Sequence, residues 1–490
     1  MIFVLLVNLY VSRIVLKSLG VEDYGLYSVV GSVVSFLGFL NTSMSSAAQR
    51  FLSFAQGQGD ENKLNSIFNS IFFVQIILAI FVLIIFETIG IFYINHYLNV
   101  DSSKIPDAHI VFQFSVASFV VNIITVPYNA AIIANERMDI FALYSVFEVI
   151  LKLGIAFLLP YSPINTLIYY SVLMFALVFF VQGLSRWFCR RHYAECKIRR
   201  GTLNKVTVRE ILSYAGWNLF GTFSGVVAHQ GVNMILNSFF GVVVNAARGI
   251  SFQVNGAMTQ LYTNFQQAIN PQIVKSYAAN ELQRFYFLIT QGTRLAFFLL
   301  FVCALPVMFN MKEILNLWLD EVPEFTTMFC VLTVINSLIG TMSQSLLRGA
   351  MATGRIRNYQ IIVSFILMLN LPLSYIGLQI YKDPYLTIYI MIALSLAAFL
   401  ARLILLHYMT ALSIPFFLRR AVLPISVSVI VSTIIAIGVD NILPATGNIY
   451  RMVVRLVFML ILCLGVTVIL GMRNSERRIV FNFVKKKIRW

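Results

Sequence analysis

The sequence predicts an all-α polytopic membrane protein of about fourteen transmembrane helices. Three observations predict it. The 490-residue chain is 59% hydrophobic and only 11% charged, where a soluble protein carries roughly a quarter charged residues. Apolar runs of about 20 residues, each long enough to cross a bilayer, recur along the whole length. The third observation is the placement of the formal +16 charge. Basic residues crowd alternate loops: Arg186, Arg190, Arg191, Lys197, Arg199, Arg200, Lys205 and Arg209 in one, Arg419 and Arg420 in another, then the tail from 473 to 489. The intervening loops hold acids instead, among them Glu22, Asp23, Asp101, Asp107, Glu313, Asp320, Glu321, Glu324, Asp383 and Asp440. This is the positive-inside pattern. It puts both termini on the cytoplasmic side and accounts for the basic charge without nucleic acid.

The expected spans run 1–17, 24–49, 64–93, 108–133, 139–161, 165–188, 209–235, 240–268, 282–309, 325–349, 357–380, 384–408, 419–439 and 449–472. The first apolar run lacks a basic n-region and an A-x-A-like site, so it reads as a membrane helix and not as a cleaved signal. The five cysteines have no zinc or disulfide spacing. A fixed offset of 218 relates the two halves. Gly31 and Gly38 map onto Gly249 and Gly256; Leu64, Asn65 and Phe68 onto Leu282, Gln283 and Tyr286; Ala134 and Arg137 onto Ala352 and Arg355. Three matches in register predict two six-helix lobes as parallel repeats. That plan places a substrate between the repeats in many transporters. The predicted division is 1–205 for the N-terminal lobe and its basic loop, 206–412 for the C-terminal lobe, and 413–490 for two added helices and a basic tail.

The second span is polar along one face: Ser28, Gly31, Ser32, Ser35, Gly38, Asn41, Thr42, Ser45 and Gln49 recur every three or four residues. The eighth, its repeat mate, carries Asn245, Arg248, Gly249, Gln253, Gly256, Gln260, Thr263, Asn264 and Gln267. In a bilayer such a face meets either a close-packed helix or a wet cavity. The polar residues are expected to line a cavity, and the four glycines to be packing positions. Ionisable residues inside spans are functional candidates by default. Arg248 and Arg294 have no evident acidic partner in the sequence, and a fixed guanidinium suits a phosphate or diphosphate. Glu148 and Lys152 sit at an ion-pair spacing; they either neutralise each other or form a titrating anion site. Glu87, near a span end, is read as an interface residue. Arg13 lies nearer a span end, where a long side chain can snorkel. The candidate cavity set is therefore Arg248, Arg294, Lys152, Glu148, Gln253, Asn245, Asn41, Gln49 and Arg13. No metal site, cofactor or catalytic motif is expected: GxSxG, Walker A and HExxH patterns are absent.

The residues Arg13, Leu16, Leu19, Gly20, Asp23, Tyr24, Gly25 and Gly31, with Gly354, Arg355 and Tyr359, resemble the Wzx-type polysaccharide flippases. These share a superfamily with multidrug and toxin extruders and with lipid II flippases. The resemblance implies a carrier for an undecaprenyl-pyrophosphate-linked oligosaccharide, turned across the bacterial inner membrane for surface polysaccharides such as O-antigen. It implies alternating access between two lobes, no enzymatic activity, and compatibility with coupling to a proton or sodium gradient. It also implies membrane lipids, glycosyltransferases and a glycan polymerase as partners. A multidrug or cation antiporter of the same fold is the alternative. A membrane polymerase or ligase fits less well, because every outside loop is short.

Overall fold

The computed structural model describes residues 2–35, 37–96, 102–198, 204–240, 242–319, 322–443, 449–473 and 476–477. Asp101, Arg199, Arg200, Asp320, Glu321 and the tail beyond Arg477 lie outside the described residues, as do the side chains of Ser28, Ser32 and Ser35. Every regular element among the described residues is helical.

In chain order the helices are α1 (Ile2–Ser35), α2 (Gly38–Gln58), α3 (Lys63–His96), α4 (Ile105–Ala134), α5 (Met138–Tyr161), α6 (Thr166–His192), α7 (Lys205–Phe240), α8 (Val242–Ala278), α9 (Leu282–Phe309), α10 (Met311–Trp318), α11 (Thr326–Thr353), α12 (Arg357–Tyr381), α13 (Leu386–Thr410), α14 (Ile414–Ile442) and α15 (Ile449–Gly471). Among the described residues, ten of these are long and apolar enough to span a membrane. The other four expected crossings fall on α1, α2, α7 and α8. Isoleucine-rich outer faces, such as Ile77, Ile80 and Ile84 on α3 and Ile430, Ile434 and Ile437 on α14, are each about half exposed or more. Apolar surface on that scale needs lipid against it. The chain is a multi-pass membrane protein.

Two punctuation marks explain the order. Gly20 interrupts α1 at φ 79, ψ 171, a region essentially closed to residues with a Cβ, so the gap expected between the spans 1–17 and 24–49 holds a true break. Beyond it Asp23 is held by Lys104 in an ion pair, with Glu22 at 3.7 Å from the same ammonium. The hydrogen bond to Asp23 raises the Lys104 pKa above its ordinary value. In the second half, Gly354 caps α11 in the left-handed conformation at φ 77, the usual way a helix is stopped. The polar span expected at 24–49 divides between the end of α1 at Ser35 and α2 from Gly38; α2 runs on to Gln58, because Gly59 supplies the left-handed stop and Asp60 caps the next helix.

The chain divides into two compact units, 1–219 and 220–490, with the division inside α7. In the first unit α4 packs on α6, α2 and α3, around Val30, Phe86, Phe112, Val116, Ile123 and Leu167. In the second unit α11 is central, touching α8, α9 and α13, while α9 also carries α14 and α15. Lipid gives helices no hydrophobic drive toward one another, so close approach through small residues matters. Gly349 shows it: a Cβ there would meet Ile289 at 2.7 Å and Leu406 at 3.2 Å. Helices at 105–134, 138–161 and 166–192 recur at 326–353, 357–381 and 386–410, displaced by about 220 residues.

Candidate functional site

The helix α8 has two polar faces, where the sequence suggested one. The first is a seam with α11. Thr333 Oγ1 donates to Ser251 Oγ at 3.3 Å, Ser337 Oγ to Asn255 Oδ1 at 2.5 Å, and Gln266 Nε2 to Ser345 Oγ at 3.2 Å; the Tyr262 hydroxyl meets Thr341 between them. Thr333, Ser337, Thr341 and Ser345 stand four apart, so they climb one edge of α11. These contacts are interhelical hydrogen bonds of the kind that hold membrane helices together. The four-residue spacing on α11 was the sequence signal for this seam.

The second face carries Gly249, Gln253, Gly256, Gln260 and Thr263, all exposed, with Asn245, Asn264 and Gln267 half-buried beside them. A Cβ on Gly249 or Gly256 would meet nothing within 4 Å, and the same holds for Gly31 and Gly38. The expectation that these four glycines are packing positions is therefore corrected. They keep a helix face low and open, and do not admit a close neighbour. Exposed amides in a spanning helix are poorly suited to hydrocarbon.

Arg248 does not belong to the exposed face. It is 1% exposed and lies on the seam side, one turn before Ser251. The reason is geometric: neighbouring positions on a helix differ by a wide turn, and residues three or four apart drift across two adjoining faces. Its guanidinium carbon lies 5.2 Å from the Phe252 ring centroid. Its Nε and Nη1 find no acceptor, and it makes no ion pair among the described residues. Cation–π contact offsets only part of the desolvation of a buried charge.

Arg294 has the acidic partner that the sequence did not reveal. Its Nη2 pairs with Glu476, and its Nη1 donates to the Arg420 carbonyl at 3.2 Å. The second Glu476 oxygen accepts from the Arg473 backbone N–H at 2.9 Å, and Gln291 donates to the first at 3.1 Å. Arg294 thus ties α9 to the segment after α15, apart from Arg248. Lys152 and Glu148 on α5 form an ion pair of 2.6 Å, the neutralising geometry of the two weighed above. Glu87, in a π-helical turn of α3, accepts from Gln113 at 3.1 Å and is exposed.

In the first unit the α2 face is more enclosed than its mate. Asn41 and Gln49 are half-buried, and Thr42 is exposed. Gln49 donates to Ser45 at 3.2 Å, while Asn41 Oδ1 is buried without a partner. Ser43, on the opposite side, donates to the Ala215 carbonyl at 2.8 Å, and Asn218 returns a bond to the Ser43 carbonyl at 3.2 Å. Arg13 is exposed on α1.

Among the described residues no group of three or more His, Cys, Asp or Glu side chains is placed to hold a metal ion. The site is therefore an open polar helix face flanked by one buried, unpaired guanidinium.

The fold is similar to that of solved MATE and other MOP superfamily transporters. The chain is similar to the outward-facing conformation of a multidrug resistance MATE family transporter of that superfamily. The TM-score is 0.73 at 10% identity, covering 83% of this chain and 92% of that one. It is also similar to a MATE in the straight conformation, with TM-score 0.68, 12% identity and coverage of 83% and 93%. A third structure is a MOP superfamily transporter from Pyrococcus furiosus, described as having a binding pocket of reverse polarity that suggests a different function. It gives TM-score 0.66 at 11% identity, with 83% and 94% covered. At these identities the likeness establishes the fold. In sequence, 213 residues are 20% identical to the uncharacterized membrane protein EpsK of Bacillus subtilis, which is 43% of this chain and 42% of that relative's length. No family model matches the chain.

Proposed function

We propose that the protein is a transporter that moves an anionic, lipid-linked cargo across the membrane by alternating access. The cargo is a polyprenyl-diphosphate-linked oligosaccharide carried from the cytoplasmic to the outer leaflet. The observation that carries this reading is Arg248, a buried guanidinium with unsatisfied N–H groups and no carboxylate partner among the described residues. A fixed fork of donors matches a phosphate oxygen pair. The exposed polar groups of α8 complement it: the amides of Gln253 and Gln260 and the hydroxyl of Thr263 offer donors and acceptors to sugar hydroxyls.

A multidrug or cation antiporter is the second reading, and it is supported by the similar fold of a multidrug resistance MATE family transporter. Cation transport asks for an available carboxylate at depth. Glu148 is engaged by Lys152, and Glu87 is held by Gln113 in an exposed turn. The anionic reading therefore accounts for more of the buried charge.

The reading extends to a bacterial inner-membrane location with cytoplasmic termini, to coupling with a proton or sodium gradient, and to work beside glycosyltransferases and a glycan polymerase. Its test is export of surface glycan from a strain whose own flippase is deleted. The wild-type chain restores export. Arg248→Ala reaches the membrane in equal amount and does not. Normal export from Arg248→Ala, or restored drug resistance without glycan export, overturns the proposal.

A further inference from the structure

The basic residues at the ends of α14 and α15 were accounted for in the sequence as topology signals. In the folded second unit they converge on a cavity of about 600 Å³ lined by Arg294, Arg419, Arg420 and Arg473 together with Phe416 and Leu470. Glu476 is the acid at this cluster, and its two oxygens are already used by Arg294, Gln291 and the Arg473 backbone. Arg419, Arg420 and Arg473 make no ion pair among the described residues. Arg294, 3% exposed, keeps a buried Nε with no acceptor.

The local backbone is unusual in the same place. Leu418–Val422 and Thr467–Gly471 are both π-helical turns, and such turns concentrate at functional sites. Partial burial and the neighbouring charges of Arg420 and Arg294 push the Arg473 pKa below its ordinary value, with Glu476 partly opposing them. Four guanidiniums around one carboxylate leave an excess of positive charge that attracts an anion.

The cavity rim distinguishes a lipid from a soluble anion. Phe416 and Leu470 of its lining are exposed, at 39% and 41%, and Leu423 and Ile469, each next in sequence to a lining residue, at 59% and 62%. A headgroup phosphate among the guanidiniums would leave its acyl chains over these side chains. We propose that this cavity binds the phosphate of an anionic membrane lipid in the leaflet at the C-terminal end of α15, separately from the cargo face of α8. The inference does not rest on the identity of the cargo, because none of these residues lies on α8. Bound there, the lipid would bridge α9, α14 and α15 and hold the last two helices against the second unit.

The test uses the purified full chain in neutral detergent, with thermal unfolding and native mass spectrometry as readouts. The probes are phosphatidylglycerol, phosphatidylcholine and inorganic phosphate. Phosphatidylglycerol is expected to be retained about tenfold or more tightly than phosphatidylcholine and to raise the melting temperature. Each guanidinium–phosphate bond contributes roughly tenfold in affinity. In R420Q/R473Q, whose changed side chains reach the surface, that preference falls by about tenfold or more. The control R190Q/R191Q, at another basic helix end, keeps it. Three results overturn the proposal: equal retention of both lipids, an unchanged preference in R420Q/R473Q, or the whole thermal shift produced by inorganic phosphate alone. The last would assign the cavity to a soluble anion.

Discussion

Arg248→Met separates a structural arginine from a cargo-binding one. The substitution keeps the bulk beside Phe252 and removes a charge that is 1% exposed and unpaired. Isolating an ion from water costs several kcal/mol even after relaxation. A cation–π contact at 5.2 Å returns about 0.5–2 kcal/mol. Desolvation wins, so the methionine variant is expected to be more stable than the wild type by about 1–3 kcal/mol. The same change removes a charge-assisted phosphate contact worth roughly 1.5–3 kcal/mol, a tenfold to hundredfold loss of affinity. The assays are melting temperature in detergent and binding of a soluble short-chain polyprenyl diphosphate. A higher melting temperature with weakened diphosphate binding is the predicted pair of outcomes. A lower melting temperature with unchanged binding would refute the reasoning, because Arg248 would then be an internal brace.

Other consequences can be checked separately. Cysteine placed at Gln253 or Gln260 should react with a membrane-impermeant thiol reagent, whereas cysteine at Ser337, in the seam with α11, should stay protected; equal labelling at all three would remove the distinction between the two faces of α8. Glu476→Gln leaves Arg294 buried without a full counter-charge and should cost about 3–5 kcal/mol, read as a fall in melting temperature, with most of the loss recovered in the double variant Arg294→Met/Glu476→Met. Gly20→Ala forces a Cβ into a glycine-only conformation and should cost about 1–3 kcal/mol, seen as a reduced yield of folded protein; an unchanged yield and melting temperature would mean that the α1 break is not required.

The ten long apolar spans and the displacement of about 220 residues between α4–α6 and α11–α13 were legible in the sequence because both are long-range averages. Hydropathy over about 20 residues marks a crossing whatever its neighbours, and a constant offset survives when individual matches are weak. Gly20 stood in the gap between the first two expected spans, where the backbone conformation alone requires a glycine. The sidedness of α8 was not legible. Asn245, Arg248 and Gly249 fall within one turn, and only the position of α11 decides which of them is covered. The Arg294 partner was hidden for a different reason. Glu476 follows the last span, 182 residues away, and no local pattern joins them. The glycines of the polar faces were read as packing positions because small residues serve both packing and openness; only the empty space around a notional Cβ separates the two uses.

The central claim is that the exposed face of α8, with Arg248 behind it, serves an anionic lipid-linked cargo. Translocation in proteoliposomes tests this most directly, with a fluorescent polyprenyl-diphosphate oligosaccharide and a cationic dye offered to the same preparation. The account predicts that the diphosphate-linked sugar crosses, that Arg248→Met abolishes the crossing, and that the dye stays behind. Dye movement without movement of the lipid-linked sugar would contradict it.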